Sequence, residues 1–323
     1  MQFNFLICSL KESSVEILRQ ISDVQKVYGA AVTVGTMDGV HIGHQAIVAR
    51  LIDVARESKI PSVVITFHPH PREIVQGVPV PLLTTVEERA EILANEGVDN
   101  LFVLNFDKSI AEMTPESFVR QLLVQKFGVK HIVAGYDHGF GRDREGDADL
   151  LRRLGELYDF AVTEVDEMKS GSVSVSSSAA RRHLESGDVQ SAAEMLGRPY
   201  RISGLVVEGD KRGRTIGFPT ANLRVPPEKL LPMNGVYRVD VDVGAESFVG
   251  MLNIGVRPTF DSTVKTVEVH LLDFTRDIYG AVLQVDFLQR LRPEKKFEDI
   301  DALKRQLSLD RDRCRGASRS ATL

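Results

Sequence analysis

The sequence predicts two domains of different class: an α/β domain, a parallel sheet with helices on both faces, then a small antiparallel β-barrel with a terminal helix. Three observations carry this. A length of 323 residues suits about two domains. The first half alternates short apolar runs with longer amphipathic ones, the pattern of a parallel sheet covered on both faces. From about Tyr200 to Arg290 the runs become closely spaced and rich in β-branched residues, broken by Gly, Pro and Asp, as in a small barrel.

Taken in order, the strands of the first half are Ala31–Val34, Ser62–Thr66, Leu101–Leu104, His131–Ala134 and Phe160–Val165. Between them lie helices over Ile42–Ser58, Thr85–Glu96, Pro115–Phe127 and Asp147–Tyr158. Thr114-Pro115-Glu116 is a helix start, a capping threonine followed by proline at the first helical position. Two short helices follow, Ser177–Glu185 and Val189–Met195, the second capped by Asp188. Barrel strands are expected at Ile202–Val207, Gly235–Val243, Phe248–Asn253, Thr266–Leu272 and Leu283–Phe287, with a helix over Phe297–Leu307. The expected domains are therefore 1–196 and 197–309, with a disordered polar tail over 310–323.

A formal net charge of −5 speaks against sequence-independent binding of nucleic acid. The two cysteines, Cys8 and Cys314, permit neither a zinc spacing nor a disulfide framework. No apolar run approaches the roughly 20 residues of a membrane span, and the N-terminus lacks the features of a secretory signal. The expectation is a cytoplasmic protein with small-molecule partners, no nucleic acid and no membrane, working as a monomer or a weak homo-oligomer.

The most informative segment is His41-Ile42-Gly43-His44. It follows a buried strand and the turn Gly35-Thr36-Met37-Asp38-Gly39-Val40, and it opens a helix. Helix N-termini offer unpaired N–H groups and a positive dipole end to a phosphate. His41 and His44 lie on one side of the first turn, and Gly43 keeps the backbone approachable. This arrangement points to adenylyl transfer, with Gly35, Thr36, Asp38 and Gly43 as nucleotide contacts. Ligands of such sheets bind beyond the carboxyl ends of the strands, where these residues lie. A second cluster, Ser176, Ser177 and Ser178 followed by Arg181, suits a phosphate at another helix start. His68, Pro69 and Arg72 after the second strand, with Asp137 and Phe140 after the fourth, are expected to form the pocket of the second substrate. The spacing of His68 and His70 gives no support for a transition metal.

The barrel half carries its own signal, Gly209 to Asn222. Its glycines and basic residues, among them Gly213, Arg214 and Gly217, make a phosphate loop of other than Walker spacing. Thr220 and Asn222 are alternate residues of an extended segment, so both point the same way. A hydroxyl and an amide oxygen together suit a magnesium ion that keeps waters and nucleotide phosphates. Glu268 shares a strand face with Thr266 and His270. It reads either as a general base or as a glutamate on the wet face of a strand.

These residues together resemble the bifunctional bacterial riboflavin kinase/FMN adenylyltransferase family, also called FAD synthetase. The likeness runs from about Val32 to Leu307. It rests on Gly35–Gln45, Phe67–Glu73, Gly135–Asp147 and Val175–Arg182 in the first half. In the second it rests on Gly213–Asn222, Gly235–Tyr237, Asn253–Thr259, Glu268–Phe274 and Leu291–Phe297. The resemblance implies a Rossmann-like nucleotidyltransferase domain that adenylylates FMN to FAD, and a barrel that phosphorylates riboflavin to FMN, both with ATP and Mg2+. It implies that His41 and His44 contact ATP phosphates and that Ser176–Ser178 with Arg181 hold the triphosphate. It assigns Thr220 and Asn222 to magnesium and nucleotide, Glu268 to the base, and Asn253, Arg257, Arg292 and Phe297 to the flavin. Thr36-Met37 and Ala179 depart from the family pattern, and both departures fall in the adenylyltransferase half. Two other readings stand beside this one: a riboflavin kinase whose first domain is inactive, and a flavin-sensing regulator that binds without turnover.

Overall fold

The computed structural model describes residues 15–19, 27–136, 139–170, 173–209, 212–258 and 263–316. The chain divides into two compact units, Met1–Val175 and Ser176–Leu323.

The first unit is built on six parallel strands: β1 (Glu16–Leu18), β2 (Ala31–Val34), β3 (Ser62–His68), β4 (Asn100–Asn105), β5 (His131–Gly135) and β6 (Ala161–Val165). Their order across the sheet is β1-β4-β3-β2-β5-β6. Successive residues of the inner strands feed two different cores. Val32, Val34, Val63, Ile65, Phe102 and Leu104 enter one; Ala31, Val64, Leu101 and Val103 enter the other. Both faces are covered, which is why these strands read as unbroken apolar runs. Each fully buried aliphatic side chain contributes about 1.5–3 kcal/mol.

Helices α1 (Ile42–Ser58) and α3 (Val86–Glu96) supply the second core, with Val48, Leu51 and Val54 from one and Val86, Ala90 and Leu93 from the other. Between them lies the short α2 (Pro71–Gln76). Helix α3 starts on a capping box, Thr85 with Glu88, which satisfies two otherwise orphaned N–H groups. After β4 come α4 (Lys108–Ala111) and α5 (Pro115–Ser117), the latter capped by Thr114 as expected. The helix predicted over Pro115–Phe127 continues from α5 as a π-helix, Phe118–Val124. Helix α6 (Ala148–Tyr158) is capped by Asp147 and packs Leu151 and Leu154 into the first core. A two-residue ladder, β7 (Lys169–Ser170) with β8 (Val173–Ser174), ends this unit.

The second unit opens with α7 (Ser177–Ser186) and α8 (Val189–Leu196). It continues with β9 (Tyr200–Val207), one helical turn α9 (Arg212–Thr215), β10 (Ala221–Arg224), β11 (Gly235–Val243), β12 (Glu246–Pro258), β13 (Thr263–Leu271), β14 (Val282–Arg292) and α10 (Ile300–Gly316). The six strands close into an antiparallel barrel in the order β10-β13-β12-β11-β14-β9. Tyr237, Val239, Leu252, Ile254, Val269 and Val285 fill its inside and are wholly buried.

The compact units part at Val175/Ser176, and α7 and α8 fall with the barrel: α8 packs on β9 and β14, and the Met233 N–H donates to the Leu184 carbonyl. One expectation is corrected here: the terminal helix runs past Leu307 to Gly316, so residues 310–316 are not a tail. Asp310 is fully buried there, held by Arg292 Nε at 2.8 Å and Gln306 Nε2 at 2.9 Å. Cys314 lies on the buried face of the same helix, and burial pushes its thiol up to about 11.

Candidate active sites

The first site forms where β2 ends. His41 caps α1, its Nδ1 accepting from the His44 N–H at 3.2 Å. A neutral His41 therefore carries its proton on Nε2. The His41 and His44 rings stack with centroids 3.6 Å apart and 14° between planes. Gly43 is what permits this, since a Cβ there would stand 3.2 Å from the His41 ring. The loop after β6 also reaches this helix start, with Met168 Cβ 3.9 Å from the same position.

The turn that delivers these histidines is contorted. Met37, Gly39 and Val40 all have positive φ, at 47°, 82° and 39°. For Met37 and the β-branched Val40 such conformations cost about 1–3 kcal/mol each. Three devices hold the turn. Thr66 Oγ1 donates to the Thr36 carbonyl at 2.8 Å. The Asp38 carboxylate, fully buried, accepts from the N–H groups of Leu83 at 3.1 Å and Thr84 at 2.9 Å. The Gly39 N–H donates to Thr84 Oγ1 at 3.0 Å. Asp38 thus faces the protein interior and serves the turn.

The remaining residues of this half divide in the same way. His68, the last residue of β3, and Arg72 are exposed, the His68-Pro69 peptide bond is cis, and the buried His70 caps α2 through the Arg72 N–H at 3.1 Å. Phe140 is a core residue packed against Phe118. Asp137 lies outside the described residues. Ser176 caps α7 by accepting from the Ala179 N–H at 3.2 Å, and Arg181 is buried on that helix.

The second site lies on the outer wall of the barrel. Asn222 on β10 and Asn253 on β12 both pair directly with Glu268 on β13. Directly opposed residues project from the same face with Cβ atoms about 4.5–5.5 Å apart. Their neighbours Val267, Val269, Leu252 and Leu223 point into the barrel, so the amide, carboxylate and amide form a row outside it. His270, two residues on, fixes the approach to Thr220. Its Nδ1 lies 2.7 Å from the Pro219 carbonyl and so carries the proton, and its ring meets Phe218 edge-on at 5.4 Å. Burial lowers the His270 pKa from its ordinary value, which keeps the ring neutral. Gly213 belongs to a tight turn in which the Phe218 N–H returns to its carbonyl at 2.9 Å. Gly217 has φ +84°, and Arg214 is exposed. Arg292, besides its bond to Asp310, stacks on Phe297 with 5.7 Å to the ring centroid.

Comparison with known proteins matches this division. A family model of FAD synthetase matches residues 23–179, and one of riboflavin kinase matches residues 196–317. Bifunctional riboflavin kinase/FMN adenylyltransferases from Listeria monocytogenes and Pseudomonas fluorescens are 39% and 40% identical, over 90% and 87% of this chain and 91% of each relative. The chain belongs to the bifunctional riboflavin kinase/FMN adenylyltransferase family. The Haemophilus influenzae member is 37% identical over 92% of this chain and 97% of its own. A solved structure described as a macrolide-efflux protein from Streptococcus pneumoniae superposes with a TM-score of 0.86 at 32% identity, covering 94% of this chain and all of that one. Among the described residues, no helix of this family member is long and apolar enough to cross a membrane.

The predicted adenylyltransferase residues up to Phe140 lie in the first unit, while Ser176–Ser178, Arg181 and the predicted kinase residues lie in the second. Sequence reasoning missed the partners that hold them: Arg89 and Thr66 in the first, His270 and Asp310 in the second. Arg89 had a signal, since it falls on the apolar stripe of α3 with Val86, Ala90 and Leu93. A charge at such a position announces a buried partner. Gly213 gives a direct check on the kinase turn. A methyl group there collides with the Phe218 carbonyl oxygen. Overpacking of this kind costs about 1–3 kcal/mol. Gly213→Ala is expected to slow riboflavin phosphorylation roughly ten- to a hundredfold while FMN adenylylation in the same preparation holds its rate.

Proposed function

We infer that this chain converts riboflavin to FMN on its barrel unit and FMN to FAD on its parallel-sheet unit, using one ATP at each. The reading rests on one observation: a family model of FAD synthetase matches residues 23–179 and one of riboflavin kinase matches residues 196–317, and the two stretches carry different polar groups. The barrel offers a carboxylate between two amides beside a glycine-rich turn. The sheet offers stacked imidazoles at a helix N-terminus.

For the kinase step, Glu268 accepts the proton of the ribityl 5′-hydroxyl as its oxygen bonds to the γ-phosphorus of ATP and ADP leaves. Asn222 and Asn253 flank that carboxylate and orient it. Thr220 and Asn222 supply the hydroxyl and amide oxygens that a magnesium ion takes, a hard donor set of the right kind. Held by these two side chains, such an ion would supply neutralisation of phosphate charge. Gly213, Arg214 and Gly217 line the nucleotide, while Asn253, Arg257, Arg292 and Phe297 hold the flavin. The Arg292 guanidinium stacked on Phe297 presents a planar surface to the ring system.

Adenylyl transfer needs no general base, because the attacking FMN phosphate oxygen is already ionised. It bonds to the α-phosphorus of ATP, and pyrophosphate leaves. The protein's task is alignment and charge stabilisation. His41 and His44 donate to phosphate oxygens as charge moves onto the leaving group. Gly35, Thr36 and Gly43 let the nucleotide approach the backbone. His68, Pro69 and Arg72 take the FMN. Ser176–Ser178 and Arg181, at the start of α7, carry donors of the kind a triphosphate takes.

A product time course tests the whole reading. With riboflavin, excess ATP and Mg2+, FMN and ADP appear first, and FAD and pyrophosphate follow. Accumulation of FMN with no FAD would leave only a riboflavin kinase. Flavin binding without release of ADP would leave a sensor.

A further inference from the structure

The turn before the histidines is held from behind by a single buried guanidinium. Arg89 reaches from α3 and is 2% exposed. Its Nη1 donates to Thr66 Oγ1 at 2.6 Å, and its Nη2 donates to the Thr84 carbonyl at 3.3 Å. Its Nη2 also lies 3.7 Å from Asp38 Oδ1, an ion pair in which both side chains are almost wholly buried. Thr66 passes the link to the Thr36 carbonyl, and Thr84 passes it to the Gly39 N–H. Both limbs of the turn therefore end on one side chain.

We propose that Arg89, acting through Thr66 and Asp38, is the positioning residue that sets the Gly35–Val40 turn, and with it His41 and His44, for adenylyl transfer. The proposal rests on the reading of that turn as the adenylyltransferase site. Two facts favour a functional role over a merely structural one. The turn holds two non-glycine residues at positive φ, a state that persists only where surrounding contacts over-determine it. And a buried ion pair gives little net stability over an apolar replacement of equal volume, so stability alone does not account for placing an arginine here. Burial pulls its pKa down and the Asp38 carboxylate raises it. The planar fork is what the site uses, since one guanidinium spans hydroxyl, carbonyl and carboxylate at once.

The test compares three variants of the full chain with wild type: Arg89→Lys, Thr66→Val and Thr66→Ser. FMN adenylylation is measured by steady-state kinetics, and riboflavin phosphorylation is measured on the same preparation. Arg89→Lys keeps the charge and loses the fork. Thr66→Val keeps the volume and loses the hydroxyl. Both are expected to lower kcat for FAD formation roughly ten- to a hundredfold, with KM for FMN within about twofold of wild type. Thr66→Ser, which restores the hydroxyl, is expected to recover most of the rate. Riboflavin phosphorylation should hold throughout. The proposal is overturned if Arg89→Lys and Thr66→Val form FAD at the wild-type rate. It is equally overturned if Thr66→Ser is as impaired as Thr66→Val, or if the loss follows the folded fraction in thermal melts. A parallel His44→Ala assay separates the two layers. If His44→Ala also makes FAD normally, the site reading itself fails; if His44→Ala stalls while the Arg89 and Thr66 variants do not, only the positioning role fails.

Discussion

Glu268→Gln is expected to leave riboflavin almost untouched while the same chain still turns supplied FMN into FAD. The exchange keeps the size and the row of side chains on adjacent strands, in which Asn222 and Asn253 both face position 268. What it removes is the proton acceptor. Loss of a positioned general base typically costs 10²–10⁴ in rate, so FMN production should fall by about that factor. Flavin chromatography over time, with riboflavin in one reaction and FMN in the other, reads both steps from one preparation. A kinase rate within about threefold of wild type would mean that the hydroxyl loses its proton elsewhere and that Glu268 only lines the wall.

His44→Ala should give the mirror result: FMN accumulates and FAD does not. Removing one donor aimed at developing charge typically lowers kcat by about 10²–10³. His44 is the better choice of the pair. His41 also caps α1, and losing a cap alone costs about 1 kcal/mol of stability, which would blur the reading. His44 donates its backbone N–H to His41 and stacks on its ring, so truncation leaves the cap bond in place. Pyrophosphate release from FMN and ATP is the direct measure. FAD formation at the wild-type rate would remove the imidazole from the reaction.

Much of this was legible from residue order alone, for reasons of packing. The inner strands β2 to β5 are buried on both faces and so announce themselves as apolar runs. Caps such as Asp147, Asp188 and Thr114 mark helix starts because their side chains have only local work to do. Strand β1 was missed because its three residues, Glu16-Ile17-Leu18, are too few to show a period. Strand β10 was missed because Asn222 and Arg224 interrupt its only buried apolar residue, Leu223. The last turns of α10 looked like a polar tail because Asp310 is buried by a charge partner, Arg292, that lies 18 residues earlier. Within the sites, motif residues were recognisable as a group but not by duty. Asp38 and Phe140 belong to the motifs and yet face the interior, and the arginine that organises the turn comes from a helix outside every motif. Spacing along a chain reveals which residues travel together; only the folded contacts reveal which of them are buried.

The barrel has a practical corollary. Along β13 the odd positions Val267, Val269 and Leu271 plug the interior, and the even positions Glu268 and His270 look outward. Heat tolerance and turnover are thus written on interleaved letters of one ribbon. An engineer seeking a hardier flavin-making catalyst has, in the plugging letters, sites to repack that leave every reacting group at its own address.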